Sequence, residues 1–158
     1  MRKLSDLFSI TSPVPGSTAT FTGETNYNQK EVSLDANSTD TYRFCSWPDN
    51  LNSQEYTGVL NYKTGGSSLN KNAGNFGVVY KMNISNASGK RIKIVPLWST
   101  PGRTKASIVY RLNNGAWTVG SILSSNQSWY ISLGTNNNAT FEFVLPGGNF
   151  GNYDVTFD

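Results

Sequence analysis

The sequence predicts an all-β protein, an antiparallel β-sandwich or jelly roll of about 10–11 short strands. Apolar and polar residues alternate at period two in many short segments, which is typical of half-buried strands. Segments rich in Gly and Asn separate them, as expected for turns. A helical stripe is absent, except for Leu4, Leu7 and Phe8, which precede Pro13.

The predicted strands follow one another along the whole chain. In the first half they are residues 18–24, 30–36, 40–46, 56–63 and 76–85. In the second half they are residues 90–98, 105–112, 116–123, 128–133, 139–145 and 153–157. Asn113-Asn114-Gly115 separates two of these strands, and its Asn-Gly pair tolerates the positive φ angles of a type I′ turn. A β-hairpin is therefore predicted at this point.

The tetrapeptide Gly-Asn-Phe-Gly occurs twice, at residues 74–77 and 148–151. A polar loop precedes the first copy, whereas a strand that ends at Pro146 precedes the second. The two copies of a duplicated structural unit should have similar flanking sequences. We therefore interpret both copies as turns that fold a phenyl ring back onto a sheet, and not as a repeat.

Length and composition indicate one domain outside the cell. The 158 residues predict an arm at residues 1–15 and a single domain at residues 16–158. Charged residues make up 15% of the chain, against about 25% in an average soluble domain. The amide- and hydroxyl-rich remainder favours an extracellular or cell-surface location. The opening residues lack the apolar region of an export signal, and no apolar run is long enough for membrane insertion.

The residues predict neither catalysis nor a cofactor. There is no histidine, which excludes Ser-His-Asp and Cys-His nucleophile systems and the usual zinc ligands. Glu142 lies between Phe141 and Phe143 in a predicted strand and is expected to face solvent. The acids of residues 49–55 fit an Asx turn better than a calcium loop, so no metal is expected. Cys45 is expected to be a buried thiol.

Charge is polarised along the sequence. Through Glu55 there are four bases and seven acids, a net charge of −3, and the remainder has nine bases and three acids, a net charge of +6. The predicted basic face consists of Arg91, Lys93, Lys105 and Arg111. A basic face of this kind is expected to bind an anionic polymer of the cell wall. Nucleic acid is the less favoured partner. Alternatively, the acidic first third packs against the basic middle of the same domain, which is the interpretation that we favour.

Exposed aromatic residues are candidates for carbohydrate binding, because sugar rings stack on Trp and Tyr. The chain has four tryptophans, at positions 47, 98, 117 and 129. The alternation in residues 128–133 places Trp129 and Tyr130 on opposite faces, so one of them is expected to be exposed. Trp117, Trp129 and Tyr130 are the candidate polysaccharide contacts, and burial in the core is the alternative for each tryptophan.

Residues 57–94, TGVLNYKTGGSSLNKNAGNFGVVYKMNISNASGKRIKI, carry a family resemblance. They resemble the β-rich segment found downstream of the copper amine oxidase-like (stalk) domain in secreted proteins of Gram-positive spore-forming bacteria. The chain departs from that pattern at residues 96–102, where PLWSTPG stands in place of Arg-Gly-Gly. The resemblance implies an envelope or extracellular location and an accessory role without copper catalysis.

Three functions remain open from the sequence. The first is a non-catalytic extracellular or cell-envelope β-sandwich with a structural or binding role. The second is a carbohydrate-binding module that uses exposed aromatics. The third is a self-assembling surface or filament subunit, a homo-oligomer in which the apolar residues Leu4, Leu7, Phe8 and Ile10 of the arm add to the sheet edge of a neighbour.

Overall fold

The computed structural model describes residues 29–45, 78–99, 102–145 and 152–158, together with the backbone of residues 59–60 and 70–71. All regular secondary structure in these ranges is β-strand. The strands are β1 (Gln29–Asp35), β2 (Tyr42–Phe44), β3 (Val59–Leu60), β4 (Asn70–Lys71), β5 (Val79–Ser85), β6 (Arg91–Pro96), β7 (Lys105–Ala106), β8 (Val109–Leu112), β9 (Thr118–Val119), β10 (Leu123–Ser124), β11 (Trp129–Ser132), β12 (Ala139–Val144) and β13 (Tyr153–Phe157).

Two larger sheets form the body of the fold. A five-stranded sheet has the order β1-β5-β12-β8-β9, and a four-stranded sheet has the order β11-β6-β13-β2. Two short ladders, β10-β7 and β3-β4, accompany them. The all-β sandwich predicted from the sequence is confirmed.

One strand pair of the predicted antiparallel sandwich is parallel. β1 runs parallel to β5, with Gln29 opposite Val79 and Asp35 opposite Ser85. Parallel neighbours need a long crossover. The chain between β1 and β5 provides one, and it contains β2 of the other sheet. Period-two alternation in the sequence indicates which residues share a face of a strand. It does not indicate whether the neighbouring strand runs parallel or antiparallel.

Aromatic rings fill the space between the sheets. Strands β5 and β6 bury every second residue, as alternation requires. The ring centroids of Phe44 and Phe143 lie 4.7 Å apart, and those of Phe44 and Tyr80 lie 5.2 Å apart. Tyr153 completes this cluster at 5.9 Å from Phe44. Cys45 is buried beside it, as predicted.

Two predicted strands are each divided in the structure. Residues 105–112 form β7, which pairs with β10, and β8, which pairs with β12 and β9. The change of partner occurs at Ser107 and Ile108, which are both fully buried. Residues 116–123 are divided at Gly120, whose amide donates to the Ile108 carbonyl at 2.9 Å. A Cβ at Gly120 would lie 2.8 Å from Ile108 Cγ1, so the close approach requires glycine.

The predicted hairpin joins β8 to β9, but its turn is centred one residue earlier than expected. Asn113 and Asn114 have φ angles of 50° and 58°. The Gly115 amide donates to the Leu112 carbonyl at 2.9 Å, which closes a turn with two left-handed residues. Gly115 is needed for another reason, because a Cβ there would lie 3.0 Å from the Leu112 carbonyl oxygen.

Several predictions fall outside the described residues and stay predictions. They are the arm at residues 1–15 with Leu4, Leu7, Phe8 and Ile10, the strand at residues 18–24, both Gly-Asn-Phe-Gly turns, Trp47 and the acidic loop at residues 49–55. The division into an arm and one domain is likewise untested.

Candidate functional site

The four basic residues predicted to share a face lie in three places. Arg91 and Lys93 are on β6 of the four-stranded sheet. Lys105 is on β7, where its Nζ donates to Ser124 Oγ at 2.7 Å. Arg111 is on β8 of the other sheet. The predicted single basic face is therefore wrong, because the strands that carry these residues belong to different sheets.

The favoured packing of the acidic first third against the basic middle is tested only in part, because Asp6, Glu24, Asp49 and Glu55 lie outside the described residues. Lys81 pairs with Glu31 at 3.2 Å, which joins the acidic first third to the basic middle. Arg91, in contrast, pairs with Asp158 at 2.6 Å, and Arg111 pairs with Glu142. Within the described ranges, the basic middle is thus neutralised largely by acids near the end of the sequence. Sequence order did not indicate which acids would be adjacent in the fold.

Trp129 is a core residue and not a surface platform. It is 5% exposed, and its Nε1 donates to the Ser121 carbonyl at 2.8 Å. The same indole nitrogen would lie 3.0 Å from a Cβ at Gly120, so the segment at Gly120 and Ser121 fits closely against the ring. This burial removes Trp129 from the candidate sugar contacts. Tyr130, on the opposite face of β11, is 50% exposed, as the alternation predicted for one of the two residues.

Glu142 is buried, which contradicts the expected exposure. It is 4% exposed although it points away from Phe141 and Phe143. The Arg111 guanidinium donates to both oxygens of its carboxylate, with Nη2 2.9 Å from Oε1. The hydrogen bond to Glu142 raises the pKa of Arg111. The strand β12 lies inside the sheet, so side chains from both neighbours cover its outer face.

The outer face of the five-stranded sheet is crossed by one row of alternating charges. Glu31 is opposite Lys81, Lys81 is opposite Glu142, and Glu142 is opposite Arg111 in register. The row ends at Trp117, because the Arg111 guanidinium lies 4.7 Å from the centre of its ring. Each charge in this row faces an opposite charge on the next strand. Trp117 is 39% exposed, and Arg111 occupies part of its surroundings.

The outer face of the four-stranded sheet has a different arrangement, centred on Tyr130. Tyr130 on β11 is opposite Lys93 on β6, and Lys93 is opposite Thr156 on β13. The Lys93 ammonium lies 5.5 Å from the Tyr130 ring centre, and the Arg91 guanidinium lies 5.1 Å from it. Both distances are within the range of cation–π attraction. A half-exposed aromatic ring is thus held beside two cations.

Two ion pairs neutralise most of the remaining charge on this face. Arg91 donates to both Asp158 oxygens, at 3.1 and 2.6 Å, and this bonding raises the pKa of Arg91. Arg43 donates to both Asp154 oxygens, at 2.7 and 2.9 Å. Among the residues that the structure describes, no carboxylate lies within salt-bridge distance of Lys93. Among the described residues of this face, Lys93 is therefore a cation that no carboxylate neutralises, and it can interact with an acidic ligand.

The described part of the chain contains no group of three His, Cys, Asp or Glu side chains that could hold a metal ion. Over the same ranges, no helix has the length and apolar character needed to cross a membrane. The arrangement on the four-stranded sheet offers an aromatic surface, ammonium and guanidinium donors, and the hydroxyls of Ser132 and Thr156 on the neighbouring positions. Polar groups beside an aromatic surface are common in ligand sites of other proteins.

No family model matches the sequence, and no curated protein matches it. One solved structure that resembles this fold is the pre-peptidase C-terminal domain of a collagenase from Bacillus anthracis. The two are 10% identical, the match covers 85% of this chain and 99% of that one, and the TM-score is 0.36. A likeness of this extent carries neither a family nor an activity to this chain. The resemblance of residues 57–94 to a stalk-associated segment stays a prediction.

Tyr130, Arg91 and Lys93 were each predictable from the sequence as surface residues, but not as neighbours. Alternation in residues 90–94 placed the two bases on one face of β6, and alternation in residues 128–133 placed Tyr130 on one face of β11. The missing information was the register, which sets Tyr130 directly opposite Lys93. No sequence signal separates this register from a shift by two residues, which would keep the same faces.

Proposed function

We propose that this chain is a non-catalytic extracellular or cell-envelope β-sandwich that binds glycans on the outer face of its four-stranded sheet. The observation that carries the proposal is Tyr130, which is 50% exposed on the edge strand β11 of that face and lies beside Arg91 and Lys93. Arg91 and Lys93 restrict the motion of this ring, and a sugar would stack on the part of its surface that they leave exposed. The composition, rich in amides and hydroxyls, supports a location outside the cell.

The state of Glu142 supports a binding role over hydrolysis. Glycoside hydrolysis uses two carboxyl groups that flank the scissile bond. Glu142 is buried, and both of its oxygens accept hydrogen bonds from Arg111. Asp154 and Asp158 are likewise each held by an arginine through both oxygens. All three carboxylates are engaged in ion pairs, whereas the general acid of a glycoside hydrolase must be protonated.

Retention on insoluble polysaccharide tests the proposal. We expect the wild-type protein to be depleted from solution by polysaccharide particles, and Tyr130→Ala to lower the binding constant about tenfold because the stacking surface is lost. Tyr130→Phe should retain binding, since it preserves the ring. Trp117→Ala is the matched control, because Trp117 is also exposed but lies on the other sheet. Loss of binding in Trp117→Ala with no loss in Tyr130→Ala would move the site to the five-stranded sheet.

Self-assembly is a second candidate, favoured by a patch of exposed apolar residues at one edge of the five-stranded sheet. Trp117 and Val119, in or beside the edge strand β9, are 39% and 51% exposed, and Ile122, which directly precedes β10, is 41% exposed. Edge strands with exposed apolar side chains readily pair with other chains. Particle size should then increase with concentration. It should increase less after removal of residues 1–11 or after Val119→Lys, and monomers at every concentration would exclude this candidate.

A further inference from the structure

We propose that the glycan bound at Tyr130 carries a carboxylate on the stacked sugar ring, as a polyuronic acid does, and that Lys93 binds this carboxylate. The inference rests on the proposed glycan-binding function and specifies its ligand class. Its basis is the distribution of charge around Tyr130, where Lys93 lies beside the ring and has no carboxylate partner within the described ranges.

The charge distribution singles out Lys93. Arg91 and Arg43 each donate two hydrogen bonds to a carboxylate of the same face, Asp158 and Asp154 respectively. Lys93 has no such partner among the described residues, and it is the residue directly opposite Tyr130. The net positive charge of these five ionised groups is therefore located next to the aromatic ring. An acidic ligand complements it, whereas a basic ligand would be repelled.

The position of Lys93 favours an acidic group attached to the stacked ring itself. Its Nζ lies 5.5 Å from the Tyr130 ring centre. A lysine ammonium on a flexible four-carbon stem can follow a carboxylate at the edge of a stacked sugar. Thr156, opposite Lys93 on β13, adds a hydroxyl that can bond to the sugar on the far side of the ammonium.

The interaction is expected to be modest and sensitive to salt. Lys93 is half-buried at the surface, and exposed ion pairs contribute little individually. We expect a uronic acid polymer to bind about fivefold more tightly than the same polymer with neutralised carboxylates, which is the upper range for one exposed charge pair. The difference should diminish as ionic strength rises, because salt screens the pair.

Polygalacturonate and its fully methyl-esterified form are the matched probes, since they share one sugar backbone and differ at the carboxyl groups, which are charged in the first and neutral esters in the second. Binding is measured by affinity electrophoresis or calorimetry at low and high salt. We expect the wild type to prefer polygalacturonate about fivefold at low salt, and Lys93→Gln to bind both forms equally. Lys105→Gln is the matched control, because it removes the same charge from β7, where Lys105 bonds to Ser124 instead. It should leave the preference unchanged.

The outcomes separate this inference from the function on which it rests. Equal binding of both polymers, abolished by Tyr130→Ala, would overturn the carboxylate assignment and leave glycan binding intact. Failure to bind either polymer, or any neutral polysaccharide, would overturn both proposals. An equal loss in Lys93→Gln and Lys105→Gln would show that net charge alone attracts the polymer and would overturn the role of Lys93. Tighter binding of phosphorylated dextran than of polygalacturonate would contradict the choice of a carboxylate.

Discussion

At the scale of single residues, burial depends on neighbours that a single strand does not reveal. Alternation correctly placed Glu142 on the face opposite Phe141 and Phe143. It did not indicate that β12 lies inside the sheet, where Arg111 covers the carboxylate. The burial of Cys45, among apolar neighbours, was predictable from the sequence. Tyr153 is fully buried, and its hydroxyl has no hydrogen-bond partner in the described part of the chain.

The Arg111–Glu142 pair should matter for stability because the carboxylate is buried. Arg111→Met leaves this charge without its bidentate partner and should lower the free energy of unfolding by about 2 kcal/mol, less than for a fully buried pair because Arg111 is partly exposed. Replacing Glu142 with Leu in the same variant should recover at least half of the loss. Urea denaturation measures both effects. Arg91→Met is the control, since its pair with Asp158 is exposed, and an equal loss there would contradict this account.

Tyr153 should make the protein sensitive to alkali. Burial raises the pKa of Tyr153 well above its ordinary value, and the nearby Arg103 opposes this shift only in part. Above pH of about 10 the unfolded chain loses this proton while the folded chain keeps it, so stability falls as pH rises. Tyr153→Phe should raise the free energy of unfolding by about 1 kcal/mol at pH 7, because an unpaired hydroxyl is removed. Its advantage should widen at pH 11, and a constant advantage would contradict the assigned shift.

At the scale of elements, local sequence predicted strands well and their partners poorly. Turn chemistry located the β8–β9 hairpin, because consecutive Asn and Gly residues tolerate left-handed angles. In the structure Asn113 and Asn114 adopt these angles, whereas Gly115 lies close to the Leu112 carbonyl oxygen. The division of residues 105–112 between two ladders and the parallel β1–β5 pair depend on distant segments. Alternation contains no information about those segments.

The hairpin provides a prediction about Asn113. Its Oδ1 accepts a hydrogen bond from the Thr140 amide at 2.8 Å, and its own amide donates to the Thr140 carbonyl at 2.7 Å. Asn113→Ala loses the side-chain bond and places alanine at a positive φ, so the free energy of unfolding should fall by about 2 kcal/mol. Asn114→Gly is the matched control, because glycine adopts the same angle without strain and should be neutral or stabilising. Thermal unfolding compares the two variants, and equal effects would contradict the assigned turn.

At the scale of the whole molecule, the two sheets present different outer surfaces. The outer face of the five-stranded sheet has a row of charged residues in which each charge lies beside one of opposite sign on the next strand. The row consists of Glu31, Lys81, Glu142 and Arg111. The face of the four-stranded sheet presents the half-exposed Tyr130 beside Lys93. The sequence contained the aromatic and basic residues of this second face. Only the order of strands and their register bring them together, and both arise from packing across the whole domain.

The most direct test of glycan binding on the four-stranded sheet is a titration of the isotope-labelled protein with an oligogalacturonide, followed by the backbone amide resonances. We expect the shifts to concentrate on Tyr130, Ser132, Lys93 and Thr156, with the row from Glu31 to Arg111 unaffected. Tyr130→Ala should reduce these shifts at a given ligand concentration, because binding is expected to be about tenfold weaker. Shifts centred on Trp117 and Val119, or no shifts at saturating ligand, would contradict the account.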